Sequence, residues 1–467
     1  MKRFFILLNI LVCIASCTLI TTPEEAPQQN LPDRETSLVA EAALELRQSF
    51  YGNTSVKSSN PENLSIFRME TLLKSTSSCT PYLINYPNDE GYSIMLADGE
   101  NIRPLMISDI GALDPQVLQN AINGNTPSNT PTPTPIEPAP IDEDEGLEPE
   151  DAPHGDEHIE PFPMDILPFD YNPPITGAQP NPGYNENIPP MIDEIVDYIN
   201  NGGNGNRLDT AINEIPGTTP KPPAPCPDSL KGKWLQMWGV APLIKTAWDQ
   251  DIPYNIYCPT INNEYTLAGC APIAASQIGA HLAPPGTSWD WELIIGTDSI
   301  SKDAAAKFIA YTGEIMNADY GLANTGASIY DAKRFLKNSI GCKNLSIRTC
   351  KDFTKFYDRV TGRLKYHLPV YTRGKNSNGE GHAYIIDGYV EQKKYIGDYA
   401  MERRSPFHIN WGWGGKHNGW YLADLLDCSK EIEEGAPQTA AIPTGSGPNI
   451  YDGGMQTLTY MIPEWMQ

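Results

Sequence analysis

Basic residues are scarce and unevenly placed in this 467-residue chain. Lys and Arg number 33 against 58 Asp and Glu, for a formal net charge of −25. That shortage argues against nucleic acid or an anionic membrane surface as a partner, since both need a basic patch. No Lys or Arg occurs between Arg103 and Arg207, whereas 19 acidic residues do, 12 of them within 137–165. The rest of the chain is left near −6, an ordinary value for a soluble domain. CxxC pairs are missing, which speaks against a zinc site. No run beyond the N-terminus is long and apolar enough to be a transmembrane helix. Histidines number only seven, and two of them form "HGDEH" at 154–158, which fits an HxxEH zinc-peptidase pattern. That chemistry needs both histidines on one helix face. Pro153, Gly155 and Pro161 in an acidic stretch deny it the helix. No metal and no cofactor is expected.

What is present begins with an export signal. Lys2 and Arg3 precede a short apolar run from Phe4 to Ala15, which ends "IASC" at 14–17. Small residues before a cysteine resemble a bacterial lipobox, so 1–16 reads as a lipoprotein-type signal peptide and Cys17 as the lipidated residue. Thr18 follows, not aspartate, so inner-membrane retention is not indicated. The expected location is outside the cytoplasm, as an outer-membrane or cell-surface lipoprotein that processing can release. The lipid is the expected membrane contact.

Composition divides the remainder. Residues 17–35 are a polar tether. Residues 36–124 read as a small α+β unit: "SLVAEAALELRQSF" has helical apolar spacing, and short strands follow, separated by Asn-Asp-Glu-Gly and Asp-Gly turns. Residues 125–188 are a Pro/Thr-rich, then acidic, linker that proline stiffening and self-repulsion keep extended. Residues 189–229 hold one amphipathic helix (189–200) and a second linker. Residues 230–467 contain all nine tryptophans, so the main core lies there. Of the cysteines, Cys79, Cys226, Cys258, Cys270, Cys342, Cys350 and Cys428 remain after the signal and Cys17. The odd number leaves at least one free or paired between chains. Cys342 and Cys350 are near enough in sequence to bridge.

The chemistry candidates lie in 230–467. Cys270 opens "CAPIAASQIGA" after Gly269. A thiol at a helix N-terminus is favoured as thiolate, while a cysteine among small residues can equally be a core filler. Pro272 suits a first helical turn. A nucleophile needs a base. Among His281, His367, His382, His408 and His417, His382 follows a glycine-rich loop and starts an apolar strand. Asp387 is near it, but strand alternation turns it to the other face. Asn410, in "FHINWGWGG", can instead accept the imidazole N–H, with a neighbouring tryptophan excluding water. The chain order is Cys, His, Asn.

These segments together resemble the streptopain family of cysteine peptidases. The resemblance is carried by "WDQDIPYNIYCP", "GCAPIAASQI", "GHAYIIDGY", "FHINWGWGGKHNGWYLADLL" and "YDGGMQTLTYMIP", in order and spacing, so it covers the whole of 230–467. It implies an α+β class with a papain-like two-lobed peptidase domain. Cys270 is then the nucleophile, His382 the general base and acid, Asn410 the residue that orients His382, Gln250 an oxyanion-hole donor beside the Cys270 N–H, and Trp413 the shield. The segment 443–449 falls where the family has a mobile, glycine-rich loop. "YLINYPNDEGYSIMLADGENIRPLMISDIGALDP" resembles the family's inhibitory pro-domain. The resemblance implies a zymogen whose partners are its own pro-domain and protein or peptide substrates. Gly, Pro and Lys between 201 and 234 make an exposed, nickable segment, where the activating cut is expected. Two departures stand out: Pro272 after the nucleophile, and the acidic linker. Two rival readings keep the fold and change the outcome: a surface binding protein without turnover, or an acyl transferase.

Overall fold

Apolar residues recurring at helical spacing form α1 (Arg34–Tyr51), which buries Val39, Ala43, Leu46 and Phe50 along one face. This computed structural model describes residues 34–51, 61–70, 79–123, 195, 231–375 except 233, 381–395, 401–426 and 453–462. The signal peptide, Cys17, the 125–188 linker, "HGDEH", the 443–449 loop and nearly all of the 189–200 helix lie outside them. Of that helix Ile195 alone is described, and it is buried in the sheet core.

Strands β1 (Ser65–Arg68), β2 (Thr80–Asn85), β3 (Tyr92–Asp98) and β4 (Asn101–Ser108) form an antiparallel meander under α1. Its turns are those legible in the sequence: Asn88 and Asp89 adopt positive φ before Gly91, and Gly99 does so between β3 and β4. Asp114 caps α2 (Pro115–Ile122) by accepting from the Gln116 N–H. In the C-terminal part, β5 (Trp234–Val240) and the small hairpin of β6 (Thr260–Ile261) and β7 (Glu264–Tyr265) precede α3 (Cys270–Leu282). Then follow α4 (Trp291–Ile294), α5 (Ser299–Ile315), α6 (Ile329–Asn338), β8 (Lys343–Thr349) and α7 (Phe353–Leu364). Strands β9 (Val370–Lys375), β10 (Gly381–Tyr395), β11 (Met401–Arg404), β12 (Pro406–Asn410), β13 (Gly419–Leu422) and β14 (Gly453–Met461) complete the chain.

The α+β class expected from the sequence is what forms. One helical core surrounds α3, with Ile273, Ile278, Phe308, Phe335 and Tyr371 buried together. A second lies on the sheet, around Tyr384, Ile386, Phe407, Ile409 and Trp411. Cys270 is at the edge of the first core, and His382 enters the strand that separates the two.

The sheet does not stop at the boundary between the two globular segments. Its order is β1-β2-β3-β4-β13-β12-β10-β9-β14-β8, with β5 and β11 paired to β10. The junction is β4 against β13, with Ile107 opposite Trp420. Gly419 makes this approach possible, because a Cβ there would lie 2.3 Å from the Ile107 carbonyl oxygen. Phe50 of α1 stacks on Trp420 at 4.8 Å between ring centroids. Such a pair contributes about 1 kcal/mol beyond its buried area.

The bonding state of the cysteines answers one question the sequence leaves open. Cys342 is a free, fully buried thiol, whereas Cys350 is disulfide-bonded, so these two do not bridge. Cys258 and Cys270 are free as well.

Candidate active site

Cys270 begins α3 because the residue before it adopts a conformation that only glycine holds easily. Gly269 has φ +90°, and a Cβ there would sit 2.8 Å from the Thr325 carbonyl oxygen. Thr325 in turn donates its hydroxyl to the Leu267 carbonyl at 2.7 Å, fixing the approach to the helix. The first helical bond runs from the Ile273 N–H to the Gly269 carbonyl at 3.1 Å. Pro272 therefore lies in the first turn, where its missing N–H breaks no helical bond. Burial pushes the Cys270 thiol up. The N–H groups of Ala383 and Ala271, the charge of Arg373 and its own N–H pull the other way.

Gln250 is buried and sits on the same approach, its carbonyl accepting the Ala268 N–H at 2.8 Å. The Asp249 carboxylate accepts the Gln250 N–H at 2.6 Å. The backbone thus ties Gln250 to the segment two residues ahead of the cysteine. The peptide bond before Pro253 is cis.

His382 is buried near the start of β10, which is paired with β9 on one side and β12 on the other. Its Nε2 lies 3.0 Å from the Trp411 carbonyl oxygen. A carbonyl only accepts, so Nε2 carries the proton. Burial, against that bond, pushes the imidazole down to about 4, so it is neutral at physiological pH. Nδ1 then holds the lone pair. Trp413 covers the ring at 4.7 Å between centroids, and Trp411 lies at 6.1 Å.

Asn410 does not reach His382 in this conformation. Its Oδ1 accepts from the Gly412 N–H at 3.0 Å and from Gln277 Nε2 at 3.2 Å, and its Nδ2 donates to the Thr246 carbonyl at 3.0 Å. The acceptor beside His382 is the backbone of the next residue, and Asn410 holds the turn that presents it. Gln277 was not singled out by sequence. It lies seven positions after Cys270, two helical turns along the same face of α3. Its Oε1 accepts the Thr246 hydroxyl at 3.0 Å.

A second buried cluster spans the two segments. His408 Nδ1 is 2.6 Å from Asp387 Oδ1, and its Nε2 is 3.1 Å from Asp109 Oδ2. All three side chains are almost wholly buried. Tyr51 donates to the other Asp109 oxygen at 2.6 Å, and the Ile244 N–H donates to the other Asp387 oxygen at 2.9 Å. Burial opposes the charge on His408, but Asp387 and then Asp109 outweigh it and hold its pKa up at about 10. Nearby, Tyr92 meets His417 Nδ1 at 2.8 Å, and the His417 ring sits edge-on to Trp413. None of these long-range pairs has a signal in local sequence. Among the described residues no cluster of His, Cys, Asp and Glu is placed to hold a metal.

A cysteine at a helix start, against a strand that presents a tautomer-fixed histidine under a tryptophan, is the class of arrangement that suits nucleophilic thiol chemistry. Residues 285–421 match the Peptidase C10 family, a span that includes His382, Asn410 and Trp413 and begins after Cys270. Streptopain of Streptococcus pyogenes serotype M28 is 28% identical over 198 residues, covering 40% of this chain and 44% of streptopain. The thiol protease/hemagglutinin PrtT of Porphyromonas gingivalis is 24% identical over 262 residues, covering 47% of this chain and 27% of PrtT. The chain thus spans less than half the length of these relatives. Among solved structures, a fragment of Prevotella intermedia prointerpain A aligns over 86% of this chain and all of that one, with 16% identity and a TM-score of 0.43. Active interpain A from the same organism covers 51% of this chain and 99% of that one, at 20% identity and a TM-score of 0.37.

Proposed function

We propose that the chain is an exported cysteine endopeptidase made as a zymogen, with Cys17 lipidated and the 36–124 unit acting as its inhibitory pro-domain. The reading rests most directly on one observation: Cys270 opens α3 against β10, at the Ala383 N–H, next to His382. Nε2–H held by the Trp411 carbonyl leaves Nδ1 as the base. In the reaction Nδ1 takes the thiol proton, and the sulfur attacks the peptide carbonyl. The developing oxyanion is held by the Cys270 N–H and the Gln250 amide. His382 then protonates the leaving amine and next activates water against the thioester. In this scheme Asn410 orients His382 through the turn it braces, and Trp413 excludes water.

Tight packing of the 34–123 unit on β13 supports its role as an intramolecular partner. The test is a thiol-reactive peptidase probe on the full chain, followed by N-terminal sequencing of what accumulates. Wild type is expected to label and to process itself between 201 and 234, and Cys270→Ala to do neither. Equal labelling of both removes Cys270 as nucleophile. Labelling with no turnover of any peptide favours the surface binding protein.

A further inference from the structure

Arg373 lies on β9 opposite Ala383, the residue whose N–H faces the Cys270 thiol. It is one position from the Gly374–His382 pair, and Gln456 of β14 faces it on the other side. Strand alternation gives it the face of Tyr371, a fully buried residue within electrostatic reach of Cys270. Its charge reaches both side chains. Yet this half-buried guanidinium makes no hydrogen bond or ion pair with any described residue. The acid that shares the Tyr371 neighbourhood, Asp331, is engaged elsewhere. It accepts from Ser328 at the start of α6 and pairs with Arg334 at 2.8 Å.

Guanidinium carries five donors in a planar fork that matches a carboxylate, and partly buried guanidinium is ordinarily paired. A single thiolate cannot use that fork, and backbone N–H groups already face the sulfur. We propose that Arg373 is a specificity-determining residue that receives the carboxylate of an Asp or Glu in the substrate, close to the scissile bond. The proposal rests on Cys270 being the nucleophile. It adds an acidic peptide as the substrate class.

The test uses the self-processed enzyme and a peptide series in which Asp, Asn or Lys is placed in turn at each of four positions on either side of one cleavage point. One position is expected where Asp raises kcat/KM over Asn by roughly ten- to a hundredfold, the range of a charge-assisted pair. Arg373→Gln should erase that ratio and Arg373→Glu should shift preference to Lys. The same peptides are used to protect Cys270 from iodoacetamide in the full chain, a readout that needs no turnover. There the Asp peptide should protect better than the Asn peptide, and Arg373→Gln should remove the difference. No acidic preference in either assay overturns the proposal, as does a preference that survives Arg373→Gln. A uniform slowing of every peptide with a raised alkylation pKa would mean that Arg373 serves the thiolate instead. Acid-selective protection without cleavage would retain the carboxylate site while sinking the peptidase reading.

Discussion

A backbone carbonyl decides which nitrogen of His382 carries its proton, and Trp413 lies over the buried ring. Trp413→Leu opens the ring to solvent, which removes part of the burial that holds the pKa near 4. The His382 pKa should rise toward 6.5, the ordinary value for histidine, as read by NMR titration of the imidazole. The sign matters for stability. A histidine that is neutral when folded and protonated when unfolded makes stability fall as pH drops from about 6.5 to about 4. Wild type should lose more stability than Trp413→Leu across that window. Gln277→Leu should leave the Thr246 hydroxyl without its acceptor and take one of two donors from Asn410 Oδ1, costing about 1–3 kcal/mol in denaturant unfolding. The residues legible in the sequence were those with local punctuation: a glycine before Cys270, a glycine loop before His382, a glycine-tryptophan turn after Asn410. Gln277 was not, because an amide in a helix looks the same whether it faces water or a buried partner. The Trp411 carbonyl was not, because every residue has one.

At the level of elements, the meander and α1 follow from turn residues and helical spacing. The pairing of β4 with β13 does not, since their partners are some three hundred positions apart and edge choice carries no local pattern. Gly419→Ala should press a methyl group into the Ile107 carbonyl and loosen the junction. Self-processing of the full chain should then become several-fold faster, followed by gel time course. The Asp109–His408–Asp387 cluster belongs to the same junction. Asp109→Asn removes one charge partner, at about 2 kcal/mol, so the melting temperature should fall. His408 has a pKa raised above its unfolded value, so its contribution is complete below about 6.5 and is lost as pH climbs through about 10. The gap between wild type and Asp109→Asn should therefore be widest in mild acid and close toward pH 10.

For the whole molecule, one hydrogen-bonded sheet means that cutting the chain between the segments need not separate them. After cleavage between 201 and 234, two bands are expected on a denaturing gel, with one peak at full mass on size exclusion at neutral pH. Sequence composition made the acidic spacer and the two globular segments plain. It could not reveal that the segments share a sheet, because shared strands look like any others.

That sharing has a consequence once the segments do part. Strand β13 then loses its β4 partner and presents a row of unsatisfied N–H and C=O groups beside Trp420. If the N-terminal unit is the pro-domain proposed above, its departure creates a sticky border as well as an open site. Such an edge is a template for pairing with any extended chain, a second copy of this one included. While it stays paired, the N-terminal unit is the selvedge of the sheet, covering an edge that would otherwise be open.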